Sequence, residues 1–425
     1  QSILRKSRPL SYEMITTSER LHEYLEDHRE CPLVGFDTEF VSEDTYRPEL
    51  SLIQVIADQK IALIDPYAIE DLSDFWNWLT ADQRTVVVHA CREELRFIYQ
   101  ATRQIPKDLF DIQIAAGFLG IEYPASYGNL VNRLMGVSLQ KGETRTNWRH
   151  RPLTKGQSQY AAQDVEFLLA IYEMMVDRLR SLERYQWVLQ EIQRQQNYII
   201  EQETSPRWRS LSGIGSLQPR ELEIARQLWH WRDGLAKKEN RPPRRVIRDD
   251  MICELAQRKS AKPDHLRMIR GVQHRRIEKH FDSIVSVISD ALNVPDSECP
   301  QRNRNKKPPQ RSTLAQFIYT AISDYCQRNQ MAPNLVATMS DIREYLELKL
   351  GSRRKGKKSR YQQRHKKNQP LMTSGWRGEF ILQLVEDVLN GKLVAHVANP
   401  TSDQPLSFAP HSAINPSSNS SDSSQ

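Results

Sequence analysis

Cysteine is sparse in this chain and never paired as CxxC. The five cysteines, Cys31, Cys91, Cys253, Cys299 and Cys326, are scattered and odd in number. That pattern argues against a disulfide framework or a structural zinc site and fits reduced thiols. No apolar run is long enough to span a bilayer, and no secretory leader opens the sequence. A cytoplasmic, soluble protein is therefore expected. At 425 residues, with 27% charged and 39% hydrophobic side chains, the chain should fold as two or three domains. Acidic residues thin out along it. Residues 1–200 carry a net charge of −7 and residues 201–425 a net of +14. An acidic front on a basic back suits an enzyme whose polyanionic substrate is held by a separate region. A solubilising surface with a basic tail would have the same balance.

Two carboxylates stand one residue apart in the apolar run Leu33-Val34-Gly35-Phe36-Asp37-Thr38-Glu39-Phe40. On a strand, residues two apart share a face, so Asp37 and Glu39 should project side by side. Two like charges that close raise each other's pKa unless a cation lies between them. A half-exposed edge strand with a solvated acidic face is the plainer alternative.

Further strands are predicted at 50–56, 61–65 and 85–89, with Arg47-Pro48 and Asp58-Gln59 as hairpin-like punctuation. Helical spacing follows through 92–102, 111–120, 126–136 and about 155–200, with Asp111 as an N-cap. A break at Ser205-Pro206 and Ser212–Gly215 precedes an all-helical block from 218 to 292, turned at Pro242-Pro243. A basic, proline-bearing linker is expected at 295–311 and a second helical block at 312–392. Arg353–Lys367 holds nine Lys/Arg and no acid, the composition of a solvated loop that adds salt-sensitive affinity for polyanions. The Ser-, Pro- and Asn-rich end from about 399 should be disordered.

Two further acidic positions follow. His89-Ala90-Cys91-Arg92-Glu93-Glu94-Leu95 ends a strand and puts Glu94 one turn into a helix, with Glu93 about 100° away. His89 itself reads more readily as a packed, hydrogen-bonded histidine than as a base. Thr154-x-x-Gln157 is a capping box, and on the helix it opens Tyr160 and Asp164 share a face at i, i+4.

Taken in order, these motifs resemble the ribonuclease D family of the DEDD exonuclease superfamily, in the variant with Tyr four residues before the last Asp. Phe36–Phe40, His89–Leu95 and Tyr160–Asp164 look like its three motifs. Phe110–Ala116 and Lys141–Trp148 are also similar. Arg220–Asp233 with Arg241-Pro242-Pro243 resembles a helicase-and-RNase-D C-terminal (HRDC) domain. Residues 312–392, with Ser374-Gly375-Trp376-Arg377, resemble a more divergent one.

The resemblance implies an α/β RNase H-like exonuclease domain at 1–205, a mixed sheet flanked by helices. Two small all-α HRDC-like domains would follow at 216–294 and 312–395, with a tail at 399–425. It implies a metal-dependent 3′→5′ exoribonuclease releasing 5′-mononucleotides, with tRNA precursors as substrates and a monomeric state. Asp37, Glu39, Glu94 and Asp164 would hold two divalent cations, Mg²⁺ or Mn²⁺, and Tyr160 would position the attacking water. Arg145 and Trp148 are candidates for phosphate contact and base stacking, although Trp148 would equally anchor its loop in the core. Arg241, Arg244, Arg245 and Arg248 form a candidate phosphate patch. One departure stands out: the family has aspartate where this chain has Glu94. That leaves open a weakened nuclease that still binds RNA, and a DNA exonuclease of the same superfamily is the other alternative.

Overall fold

The computed structural model describes residues 10–139, 146–272, 274–302, 312–350, 369–402 and 404–410. Residues 12–111 build a six-stranded sheet from β1 (Tyr12–Ile15), β2 (Leu33–Val41), β3 (Glu49–Ala57), β4 (Lys60–Ile64), β5 (Thr85–Val88) and β6 (Asp108–Asp111), in the order β1-β4-β3-β2-β5-β6. β3 runs antiparallel to both β2 and β4, whereas β1 pairs with β4, β5 with β2 and β6 with β5 in parallel. Asp58 and Gln59 both take positive φ, 46° and 64°, which makes the tight β3–β4 hairpin that the sequence suggested. β1 and β6 were not expected from the sequence.

Eight helices flank the sheet: α1 (Ser18–Asp27), α2 (Ser73–Leu79), α3 (Arg92–Thr102), α4 (Ile112–Phe118), α5 (Tyr127–Met135), α6 (Lys155–Glu166), α7 (Leu168–Ser181) and α8 (Tyr185–Thr204). Alternation along β2 sorts its two faces. Phe36 turns to α2, where its ring lies 6.1 Å from those of Phe75 and Trp76. Gly35 turns to the other face, where α7 presses close. A Cβ there would come within 2.5 Å of Ile56 and 3.2 Å of Leu168, so only glycine lets α7 sit against the strand beside Asp37. α6 crosses β2, β3 and β4.

The next helices are α9 (Pro219–Lys238), α10 (Pro243–Val246), α11 (Asp249–Arg258), α12 (Pro263–Arg267), α13 (Arg275–Glu278) and α14 (Phe281–Asn293), packed around their own hydrophobic cluster. The last group is α15 (Ser312–Arg328), α16 (Pro333–Val336), α17 (Met339–Leu350) and α18 (Gly375–Leu389). It shares one continuous core with the sheet domain. Trp376 packs at 4.7 Å from Phe118 and 5.9 Å from Trp187. Arg377, buried, donates to Glu191 at 2.6 Å and to the carbonyls of Leu335 and Val336 at 2.8 and 3.0 Å. The third region is thus welded to the first, which a reading as a small appended helical domain did not anticipate.

The expectation of an unstructured tail from 399 also needs correction. β7 (Leu393–Val397) and β8 (Leu406–Pro410) form an antiparallel hairpin, and Phe408 rests 5.7 Å from Phe317 of α15. The linker expected at 295–311 is packed at its start, where Cys299 is buried. The basic run Arg353–Lys367 and residues 411–425 lie outside the described residues.

Candidate active site

Asp37 and Glu39 rise side by side from β2, on the face crossed by α6, and each keeps part of its surface open to solvent. The β2–β3 pairing slips between Glu39 and Phe40, a bulge that twists the strand where the second carboxylate leaves it. Asp164 sits half-exposed on α6. Tyr160, one turn earlier, hydrogen-bonds its carboxyl. The Thr154–Gln157 capping box that opens this helix forms as the sequence suggested, at 3.1 and 2.9 Å.

Glu94 is the deepest of the four, 5% exposed. The turn that delivers it is clamped by Asp111, whose two oxygens accept from the amides of Ala90 and Cys91 at 3.1 and 2.9 Å. The same carboxylate caps α4 through the Gln113 amide at 2.8 Å. Ala90 takes a φ of 64°, so the clamp holds a backbone that alanine does not favour. Thr38, between the two strand carboxylates but on the opposite face, donates its hydroxyl to Glu94 Oε1 at 3.0 Å. Sequence reasoning missed Thr38 and the second duty of Asp111, because each depends on a contact far away in the chain.

The electrostatics are those of crowded acids. Burial pushes the Asp37 carboxyl well above its ordinary value, and the charges of Glu94, Asp164 and Glu39 add to it. Burial, with Asp164 and Glu94, raises Glu39 to about 8. Burial likewise carries Glu94 and Asp164 to about 7. Four hard oxygen donors that resist ionising together fit a divalent cation of the Mg²⁺ or Mn²⁺ type. Among the described residues no three or more of these side chains stand close enough to form a ready-made ligand cluster. The bond from Thr38 holds one oxygen of Glu94 to the other face of β2.

The folded pKa values of these acids lie above their unfolded values. Between about pH 4 and 8 the unfolded chain therefore binds fewer protons than the folded one, and stability falls as pH rises through that window. The metal-free protein should melt at lower temperature at pH 8 than at pH 5. Excess Mg²⁺ should remove much of that difference, as thermal unfolding with and without EDTA will show.

Other site candidates fall out as follows. Trp148 is 3% exposed, with its ring 6.2 Å from that of Tyr160. It anchors the loop before α6 and has no face free for a base, which corrects the stacking role. Arg145 and the Lys141–Arg145 stretch lie outside the described residues. Two arginines missed from the sequence lash the same loop to the sheet. Arg149 pairs with Asp44 and Glu49 at 2.7 and 2.8 Å, and Arg151 with Asp65 at 2.5 Å. His89 donates from Nε2 to the Ala125 carbonyl at 2.8 Å, the packed histidine rather than a base.

The α9–α10 turn comes up against the β2–β3 connection. Tyr46 donates to Asp233 at 3.0 Å, and its amide to Asn240 at 3.2 Å. Arg244, Arg245 and Arg248 of that turn are exposed. Arg244 is loosely paired with Asp249 at 3.8 Å and Arg248 with Asp250 at 2.9 Å. Arg241 is half-buried and paired with Glu239. The Asp44 carboxyl is held below its ordinary value by its bond to Arg149, and Arg245 adds to the effect. The basic turn therefore lies beside the connection leaving the acidic strand.

The chain resembles known proteins in sequence and fold. A family model described as 3′–5′ exonuclease matches residues 12–180, and the HRDC domain model matches residues 221–288. Ribonuclease D of Pseudomonas paraeruginosa is 31% identical over 309 residues, which cover 72% of this chain and 82% of that protein. The chain belongs to the ribonuclease D family. Escherichia coli ribonuclease D is 29% identical over 391 residues, 89% of this chain and 99% of its own. The crystal structure of E. coli RNase D, an exoribonuclease involved in structured RNA processing, superposes with a TM-score of 0.77 at 28% identity, covering 90% of this chain and 99% of that one. The ribonuclease D family consists of 3′–5′ exoribonucleases, and its exonuclease superfamily depends on divalent metal. Among the described residues, no helix of this family member is long and apolar enough to cross a membrane.

Proposed function

We propose that this chain trims 3′-extended RNA, tRNA precursors among them, one 5′-mononucleotide at a time, as a cytoplasmic monomer. The observation that carries the reading is the gathering of Glu39, Glu94 and Asp164 around Asp37, on which the charges of all three bear, with Tyr160 bonded to Asp164. These four would hold two Mg²⁺ or Mn²⁺ ions. When bound, such ions lower the pKa of the attacking water and offset charge on the leaving 3′-oxygen. Tyr160 fixes the water's orientation with its hydroxyl, and its bond to Asp164 keeps the ring from swinging away. Asp111 holds α3 at the angle that offers Glu94. The mixed domain supplies the chemistry. The HRDC-matching region and the third, HRDC-like region supply sequence-independent phosphate contacts.

Degradation of a 3′-extended tRNA and of a matched DNA oligonucleotide tests the substrate. Faster turnover of the RNA supports the reading, and equal or faster DNA turnover replaces it with a deoxyribonuclease. Binding without turnover favours a second reading, an RNA-binding protein with a weakened nuclease. The tie from Glu94 to Thr38 is the observation behind that alternative.

Glu94→Asp draws the carboxylate back by one methylene, out of reach of Thr38. Single-turnover RNA cleavage should then be similar to wild type or higher. A large loss would mean the site is built around the longer arm. Replacing Arg244 and Arg248 by Ala should weaken RNA binding at every sequence. Log affinity against log salt should flatten by about 0.7 for each arginine, measured by fluorescence anisotropy.

A further inference from the structure

Gln54 lies in the middle of β3 and is completely buried, yet neither its Nε2 nor its Oε1 meets a hydrogen-bond partner among the described residues. An amide in that position is costly unless something it bonds to is part of the working protein. Its surroundings narrow the choice. Along its own strand, the residues on the same face are Leu52 and Ile56. Across β4 it is opposed by Leu63, and across β2 by Asp37. Residues directly opposed in an antiparallel pair share a face, with Cβ atoms about 5 Å apart. The carboxylate of Asp37 is therefore its one polar neighbour in register.

We infer that Gln54 is a positioning residue, its side-chain amide donating to one oxygen of Asp37 so that the other is turned toward the divalent cation. The inference rests on the reading of Asp37 as a metal ligand. A carboxylate that bridges or clasps an ion needs its remaining lone pairs fixed, and partners that fix them matter for affinity nearly as much as the ligands. Gln54 meets that need without adding charge to a site that already has four acids.

Binding of Mn²⁺ to the full chain, followed by the electron paramagnetic resonance signal of the free ion, tests the inference. Gln54→Met keeps the length and removes the amide. It should weaken Mn²⁺ binding about tenfold or more while leaving the melting temperature of the metal-free protein equal or higher. In an Asp37→Asn background the same change should cost nothing further, because Gln54 acts through that carboxylate. Gln54→Leu repeats the comparison should methionine unfold the protein. Wild-type affinity in these variants would overturn the inference, as would a loss that persists undiminished beside Asp37→Asn. If the wild type itself takes up no Mn²⁺, the metal reading and this inference fall together.

Discussion

Asp37→Ala should abolish turnover while leaving RNA binding intact. Asp37 stands where the charges of Glu39, Glu94 and Asp164 all bear on it, which places it among the other three carboxylates. Its loss would remove one of the four carboxylates proposed to hold the divalent ions. Metal stabilisation of a phosphodiester transition state amounts to several kcal/mol, so a fall in kcat of roughly a thousandfold or more is expected. The folded protein should not suffer. A carboxyl that is costly to ionise disappears, and the metal-free variant should melt at or above the wild-type temperature near pH 8. Affinity for RNA, which the proposed function rests on the basic regions, should change little in EDTA. Loss of binding together with turnover would mean that the substitution has disturbed the fold rather than the chemistry.

Arg377→Met should be the most damaging change outside the site. The buried guanidinium joins Glu191 of α8 to the carbonyls that end α16. Burial pushes the Glu191 carboxyl upward, but Arg377 and Arg194 outweigh it and hold the group below its ordinary value. Removing Arg377 leaves a buried negative charge with only the half-exposed Arg194 beside it, at a cost of about 3–5 kcal/mol. Replacing Glu191 by Met as well should recover much of that loss, because an apolar pair of similar volume has no charge to strand. Among the described residues there are two hydrophobic clusters, one shared by the sheet domain and α15–α18 and one belonging to α9–α14. Urea unfolding should then show two transitions, with Arg377→Met shifting only one of them.

Much of the site was legible because its motifs are local. The alternating run that holds Asp37 and Glu39, the capping box before Tyr160 and Asp164, and the N-cap at Asp111 each declare themselves within a dozen residues. The antiparallel β2–β3–β4 meander was legible for the same reason, through its turn residues. What escaped depends on distant partners. β1 and β6 are four residues each and become strands only by pairing in parallel at the two ends of the sheet. Thr38 gains meaning only when Glu94 arrives from 56 positions away. Between the stacking and anchoring readings of Trp148 the sequence offered no choice, and its burial beside Tyr160, in the loop that Arg149 and Arg151 tie to the sheet, decides for the anchor. The fusion of α15–α18 to the catalytic domain is carried by Trp376 and Arg377, whose partners Phe118, Trp187 and Glu191 lie nearly 200 or more residues earlier. Gln54 drew no attention in the sequence, and only its register opposite Asp37 supports the inference drawn for it.

The most direct test is the order and metal dependence of product release from RNA labelled at its 5′ end. Loss of nucleotides singly from the 3′ end, in Mg²⁺ or Mn²⁺, stopped by EDTA and by Asp37→Ala, is the result this account predicts. Cleavage that persists in EDTA, or that proceeds unchanged in Asp37→Ala, would contradict the assignment of these carboxylates as the catalytic centre.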